Sequence, residues 1–83
     1  MLLIDIGNTR IKAALVEGGQ PRMLPAAGTR DHAPFSGWSD AISARPSRVL
    51  VSNVAGPEMA MHVLRYTRER WQLEPEFALP CRR

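Results

Sequence analysis

Eighty-three residues, 45% of them hydrophobic and 23% charged, make one small domain with a thin core, because a chain this short buries only about 60–65% of the surface its unfolded form exposes. The net charge of +3 rests on ten arginines and a lone lysine scattered along the chain rather than gathered with exposed aromatics, which argues against a nucleic-acid reader. No uninterrupted apolar run approaches the roughly 20 residues of a membrane span, and a single cysteine, Cys81, excludes an internal disulfide and a thiolate metal cluster, so a cytoplasmic protein is expected.

Residues 1–6 predict a buried strand and Arg10–Glu17 a second one, joined as a β-hairpin by a turn at Gly7-Asn8. Gly18-Gly19 supplies the next turn. Gln20–Ala27 predicts a third strand, which Pro21 and Pro25 confine to an edge or make irregular, and Gly28–Pro34 reads as loop. From Phe35 to Arg45 the spacing of Trp38, Ala41 and Ile42 predicts a short helix, with Ser36 or Ser39 as its cap and Pro46 as its stop.

The run SRVLVSNV (47–54) predicts a central strand buried on both faces. Gly56 then turns the chain, and Pro57 suits the first position of a helix reaching about Trp71, since the amide hydrogen proline lacks would have no partner there. Ala60, Val63, Leu64, Thr67 and Trp71 form its inward stripe, while Glu58, His62, Arg65 and Glu69 lie on another side as potential i,i+4 partners. Arg65, Arg68 and Arg70, offset by Glu69, read as a solvated face. Met59 and Met61 read as packing, and His32 and His62 lack companions at metal-ligand spacing. Pro75 ends this segment and Glu76–Leu79 starts a last strand. The expected architecture is α/β, a mixed sheet with elements in the order βββαβαβ.

The chemistry concentrates in the first turn, LLIDIGNTRIK. A two-residue hairpin pairs Ile6 with Thr9 and Asp5 with Arg10, placing Asp5, Arg10 and Lys12 on one face of the ribbon. Gly7 permits a positive φ and close approach of a ligand, and the successive amides of Gly7, Asn8 and Thr9 can point at an anion. Asn8 and Thr9 side chains add donors and Lys12 a mobile charge. Asp5 would repel a bare phosphate, so its presence asks for Mg²⁺ held through water between carboxylate and nucleotide. The other reading is an ordinary hairpin, with Asp5 paired to Arg10 and Lys12 in water. Ser52 and Asn53, at a strand's carboxyl end, either meet a ligand or satisfy loop backbone.

LLIDIGNTRIKAAL resembles the first phosphate-binding motif, D-x-G-N-[ST]-x-x-K, of the type III pantothenate kinases, within the acetate and sugar kinase, heat-shock chaperone and actin superfamily. VLVSNVAGP is similar to the family's strand and loop after its first helix. The resemblance implies the first half of an actin-like, ribonuclease H-like ATPase domain. It further implies ATP-dependent phosphorylation of pantothenate to 4′-phosphopantothenate, in coenzyme A biosynthesis. Asp5 would help hold Mg²⁺ and the phosphates, Gly7, Asn8 and Thr9 would contact the phosphates, and Lys12 would neutralise their charge. A monovalent cation, K⁺ or NH₄⁺, and a homodimer also come from the family. The family's G-x-D-R segment, carrying the catalytic base, and its second phosphate loop do not occur here. GTRDH (28–32) has the wrong order and reads as surface loop.

Residues 1–83 are therefore expected to be a partial amino-terminal nucleotide-binding domain of a longer two-domain kinase, inactive alone, with its base beyond Arg83. Two other readings stand beside it: a regulatory or accessory protein that keeps the actin-like fold without the kinase reaction, and a small α/β interaction module whose hairpin binds nothing.

Overall fold

The computed structural model describes residues 1–30, 35, 37–42 and 44–78, with backbone alone at Ser39 and Asp40. Its elements are β1 (Leu2–Ile6), β2 (Arg10–Glu17), β3 (Gln20–Met23), β4 (Ala27–Gly28), α1 (Trp38–Ala41), β5 (Val49–Asn53), α2 (Pro57–Trp71) and β6 (Glu76–Ala78). The strands form one sheet in the order β3-β2-β1-β5-β6, with β4 also pairing β2. β1 is antiparallel to β2 and parallel to β5, and β5 is parallel to β6 through the α2 crossover, so the sheet is mixed as the sequence predicts.

Alternation decides which face is core. Leu2, Ile4 and Ile6 of β1, Ile11, Ala13 and Leu15 of β2, and Val49 and Val51 of β5 are all buried, against Met59, Val63, Thr67 and Trp71 of α2. The alternate residues Leu3, Asp5, Lys12 and Ser52 are exposed on the opposite face, where Ala14 and Leu50 are half-buried. The expectation that β5 is buried on both faces is thus corrected: its pattern shows one covered face, because α2 packs on one side of the sheet only.

The hairpin register also differs from the two-residue form. Ile6 stands opposite Ile11 and Asp5 opposite Lys12, not Thr9 and Arg10. Burial explains the shift. In the observed register Ile6, Ile4 and Leu2 face Ile11, Ala13 and Leu15 on the core side, whereas the tighter turn would push Thr9 into the core beside Ile6. The shift is even, so Asp5, Arg10 and Lys12 keep a common face.

The third strand is interrupted rather than continuous from Gln20 to Ala27. β3 pairs Ala14 with Met23 and β4 pairs Ile11 with Ala27, so one extra residue is accommodated between them, around Leu24, Pro25 and Ala26. Leu24 is buried there, and the Pro25 carbonyl accepts the Trp38 indole N–H at 3.0 Å. Gly18 and Gly19, at φ 60° and 79°, form the expected turn between Glu17 and Gln20, a conformation suited to glycine.

α1 is a single turn, not a helix reaching Arg45. It starts at Gly37 without a side-chain cap, and Ile42 is already extended at φ −107° and ψ 95°. The expected capping residue Ser36 lies outside the described residues, as do Asp31, His32 and Leu79. Aromatic packing fixes this segment instead. Phe35 stacks on Trp38 and on Tyr66 of α2 at 5.0 Å between ring centroids, and Tyr66 meets Trp71 edge-on at 5.4 Å.

α2 has the expected bounds. Gly56, at φ 113°, opens it, and Gln72, at φ 55°, closes it with bonds from the amides of Gln72 and Leu73 to the carbonyls of Arg68 and Thr67. Arg45 donates to the Trp71 carbonyl at 2.8 Å, satisfying a further helix-end acceptor. Its inward stripe is rotated slightly from the sequence expectation: Met59 is buried while Ala60 and Leu64 are half-buried, and Met61 is 54% exposed rather than packed. The i,i+4 pairs expected along its outer side do not form among the described residues. The ion pairs among the described residues are instead Arg68 of α2 with Glu74 and, away from this helix, Arg48 with Glu76 of β6.

Candidate functional site

β1 delivers Asp5 and β2 delivers Lys12 to opposite positions on the bare face of the sheet, one pair in from the Ile6–Ile11 pair at the turn. The Gly7 N–H closes the turn by donating to the Arg10 carbonyl at 2.8 Å. Asp5, Gly7, Asn8, Thr9, Arg10 and Lys12 line a concavity of about 210 Å³. All the site residues that the sequence singles out are therefore brought together, with Arg10 added. Two cations against one carboxylate give the concavity a net positive charge, and neither Asp5 nor Lys12 is tied up in an ion pair among the described residues.

The amides divide into two groups. Those of Asn8 and Thr9 donate to no group among the described residues and remain available to an anion. The Gly7 amide is spent on the turn, which corrects the expectation of three anion-facing amides. Gly7 is also outside the positive-φ region, where the glycines are Gly18, Gly19 and Gly56. A Cβ at position 7 would meet the Arg10 carbonyl oxygen at 3.5 Å, an ordinary contact, so the fold itself does not demand glycine there.

The carbonyl side of the turn is held by Thr29, just after β4. Its hydroxyl donates to the Asn8 carbonyl at 2.9 Å and its amide donates to the Thr9 carbonyl at 3.0 Å. Sequence reasoning assigns this segment to surface loop; only the return of β4 alongside β2, pairing Arg10 with Gly28, brings it against the turn.

Of the two roles left open for Ser52 and Asn53, the structure assigns one, to Asn53. Asn53 satisfies loop backbone, donating to the Gly56 carbonyl at 2.8 Å and accepting from the Ala55 amide at 2.9 Å. Ser52 is exposed opposite Asp5 on the other side from Lys12, and both it and the Asp5–Lys12 pair border a second concavity of about 360 Å³ over Leu3, Ala14 and Leu50. No group of three or more potential metal-ligating side chains occurs among the described residues. A lone carboxylate beside two amides without a partner among the described residues is compatible in chemistry with Mg²⁺, an ion that keeps several of its waters and needs few protein ligands. No helix among the described residues is long and apolar enough to cross a membrane.

Comparison with known proteins gives the family. The family model of the type III pantothenate kinases matches residues 1–82. The chain is 37% identical over 82 residues to a type III pantothenate kinase of Nitrosococcus oceani, covering 93% of this chain and 30% of that protein. It is 38% identical over 74 residues to that of Paraburkholderia phytofirmans, covering 89% and 27% respectively. With that of Aromatoleum aromaticum it shares 40% identity over 62 residues, 72% and 24%. The fold and the hairpin define the first half of an actin-like, ribonuclease H-like ATPase domain. The chain belongs to the type III pantothenate kinase family, and it spans less than a third of the length of these relatives.

Proposed function

We propose that this chain supplies the first phosphate-binding turn of an enzyme that transfers a phosphoryl group from ATP to pantothenate, giving 4′-phosphopantothenate for coenzyme A biosynthesis. The observation that carries this reading is the register Asp5 opposite Lys12 beside the free amides of Asn8 and Thr9. In such transfers most of the catalysis is positioning and charge stabilisation, and this turn is built for both. The Asn8 and Thr9 amides and side chains bind phosphate oxygens, Lys12 offsets their charge, Gly7 leaves room for their approach, and Asp5 orients the water shell of Mg²⁺, which when bound neutralises the phosphates.

Residues 1–83 are, in this proposal, part of the amino-terminal nucleotide-binding domain of a two-domain kinase. The catalytic base on the pantothenate hydroxyl lies beyond Arg83, and by family resemblance a monovalent cation, K⁺ or NH₄⁺, and a homodimer belong to the working enzyme in the cytoplasm. The share of the relatives' length that the chain covers supports this division. A coupled ADP-release assay tests it, with and without pantothenate, Mg²⁺ and K⁺. The 83-residue chain is expected to bind MgATP without turnover, and a protein extending to the relatives' length is expected to turn over only with pantothenate. MgATP binding to neither would refute the proposal.

A further inference from the structure

The turn that carries the two free amides has no core of its own. Asn8 and Thr9 are exposed, and the Gly7 to Arg10 bond closes only its base. Peptide units at such a tip can rotate at little cost, and a rotated unit presents its carbonyl oxygen, not its N–H, to an incoming anion. Thr29 opposes that rotation at two successive peptide units, the one that carries the Thr9 amide and the one after it. Its hydroxyl holds the Asn8 carbonyl and its amide holds the Thr9 carbonyl, at 2.9 and 3.0 Å. Fixing the Asn8 carbonyl fixes the peptide unit that contains the Thr9 amide, because the two belong to one plane. Thr29 is itself anchored by the pairing of Gly28 with Arg10 and of Ala27 with Ile11.

We propose that Thr29 is a positioning residue of the phosphate-binding turn, holding its carbonyls back so that the Thr9 amide stays directed at an anion. The proposal rests on the phosphate reading of the turn and adds to it a residue outside the D-x-G-N-[ST]-x-x-K stretch. The role needs a hydroxyl, so serine preserves it and valine, of nearly the same shape, does not. The backbone bond to Thr9 can form in both variants, but in the valine variant it holds the turn without the hydroxyl and opens more often.

The test uses the full chain as wild type, Thr29→Val and Thr29→Ser, with two readouts. The first is amide hydrogen exchange without ligand. Thr29→Val is expected to speed exchange at Gly7 and at residue 29 while leaving Ile4 and Val51 unchanged, and Thr29→Ser is expected to match wild type. The second is titration with MgATP, followed by the amide signals of Asn8 and Thr9. Valine is expected to weaken binding roughly three- to tenfold, the range of one ordinary hydrogen bond, and serine to restore it. Unchanged exchange at Gly7 and residue 29 in Thr29→Val would overturn the positioning role alone. Altered exchange with equal MgATP affinity in all three proteins would overturn the link from positioning to binding. Failure of wild type to bind MgATP would overturn the phosphate reading and the role with it, and the exchange data keep that outcome apart from the other two.

Discussion

Asp5 and Lys12 stand directly opposite one another across β1 and β2, exposed on the sheet face that α2 leaves bare, and no ion pair joins them. Opposite charges in such positions ordinarily attract and pair. Here each remains available to a third party, and the amides of Asn8 and Thr9 lie at the same end of the ribbon. The arrangement suits a ligand that carries both signs, as a magnesium-bound phosphate does.

This relationship separates binding from folding. Lys12→Ala and Asp5→Asn remove exposed side-chain charges that no ion pair or hydrogen bond holds among the described residues, so the stability of each is expected to stay within about 0.5 kcal/mol of wild type in urea melts. MgATP affinity is expected to fall by roughly 10–100-fold in Lys12→Ala, the range for hydrogen bonds to charged groups. Equal affinity in both variants and wild type would favour the interaction module whose hairpin binds nothing.

Gly7→Ala isolates the approach of the ligand. The backbone at position 7 does not require glycine and the added Cβ has room, so the substitution is expected to leave stability unchanged or raise it by up to about 1 kcal/mol through the unfolded chain. Weaker MgATP binding with undiminished stability, read by titration and urea melts on the same protein, would mean that glycine serves the phosphate and not the turn. A loss of stability would put its role back in the fold.

What the sequence reveals and what it hides follow from range. α2 is bounded by local signals, Gly56 with Pro57 at one end and Pro75 beyond the other, and the structure places it at Pro57–Trp71. The residues of the turn are equally local. The hairpin register is not, because it depends on matching Ile6 with Ile11 in a core that α2 completes from far along the chain. α1 misleads for the same reason: helical spacing of Trp38, Ala41 and Ile42 is satisfied by one turn once the aromatic cluster with Tyr66 has formed. Thr29 is silent in the sequence because its partners, Asn8 and Thr9, lie 20 residues or more away and offer only backbone oxygens.

Trp38 joins that cluster to the irregular third strand, since its ring packs on Phe35 and Tyr66 while its N–H reaches the Pro25 carbonyl. Trp38→Phe keeps an aromatic ring but loses volume and that hydrogen bond. A cost of about 2 kcal/mol is expected, a large part of the roughly 4–12 kcal/mol available to a domain of this size. Urea unfolding followed by far-UV circular dichroism checks it. An unchanged midpoint would mean that Pro25 and the ring's second half contribute nothing to holding α1 against the sheet.

Acid stability provides the last test, through the edge strand β6. The Arg48 guanidinium donates to both Glu76 carboxylate oxygens, at 3.0 and 2.7 Å, and these hydrogen bonds hold the Glu76 carboxyl below its ordinary range and push Arg48 up. A carboxyl with a folded pKa below its unfolded value contributes stability that is fully present above the unfolded value. That contribution fades as pH falls through the folded one. Arg48 has the opposite sign: its contribution holds at every pH below its unfolded pKa and is lost only in strong alkali, so the acid limb belongs to the carboxylate. Glu74, held down by its bonds from Arg68, titrates in the same direction, so both glutamates steepen the loss below about pH 4.5. Glu76→Gln is expected to flatten part of that acid limb, an effect that added salt shrinks because both partners are exposed. Urea midpoints measured from pH 3 to 7 read the slope directly. An identical slope in Glu76→Gln would show that the clamp between β6 and the start of β5 does not persist in solution.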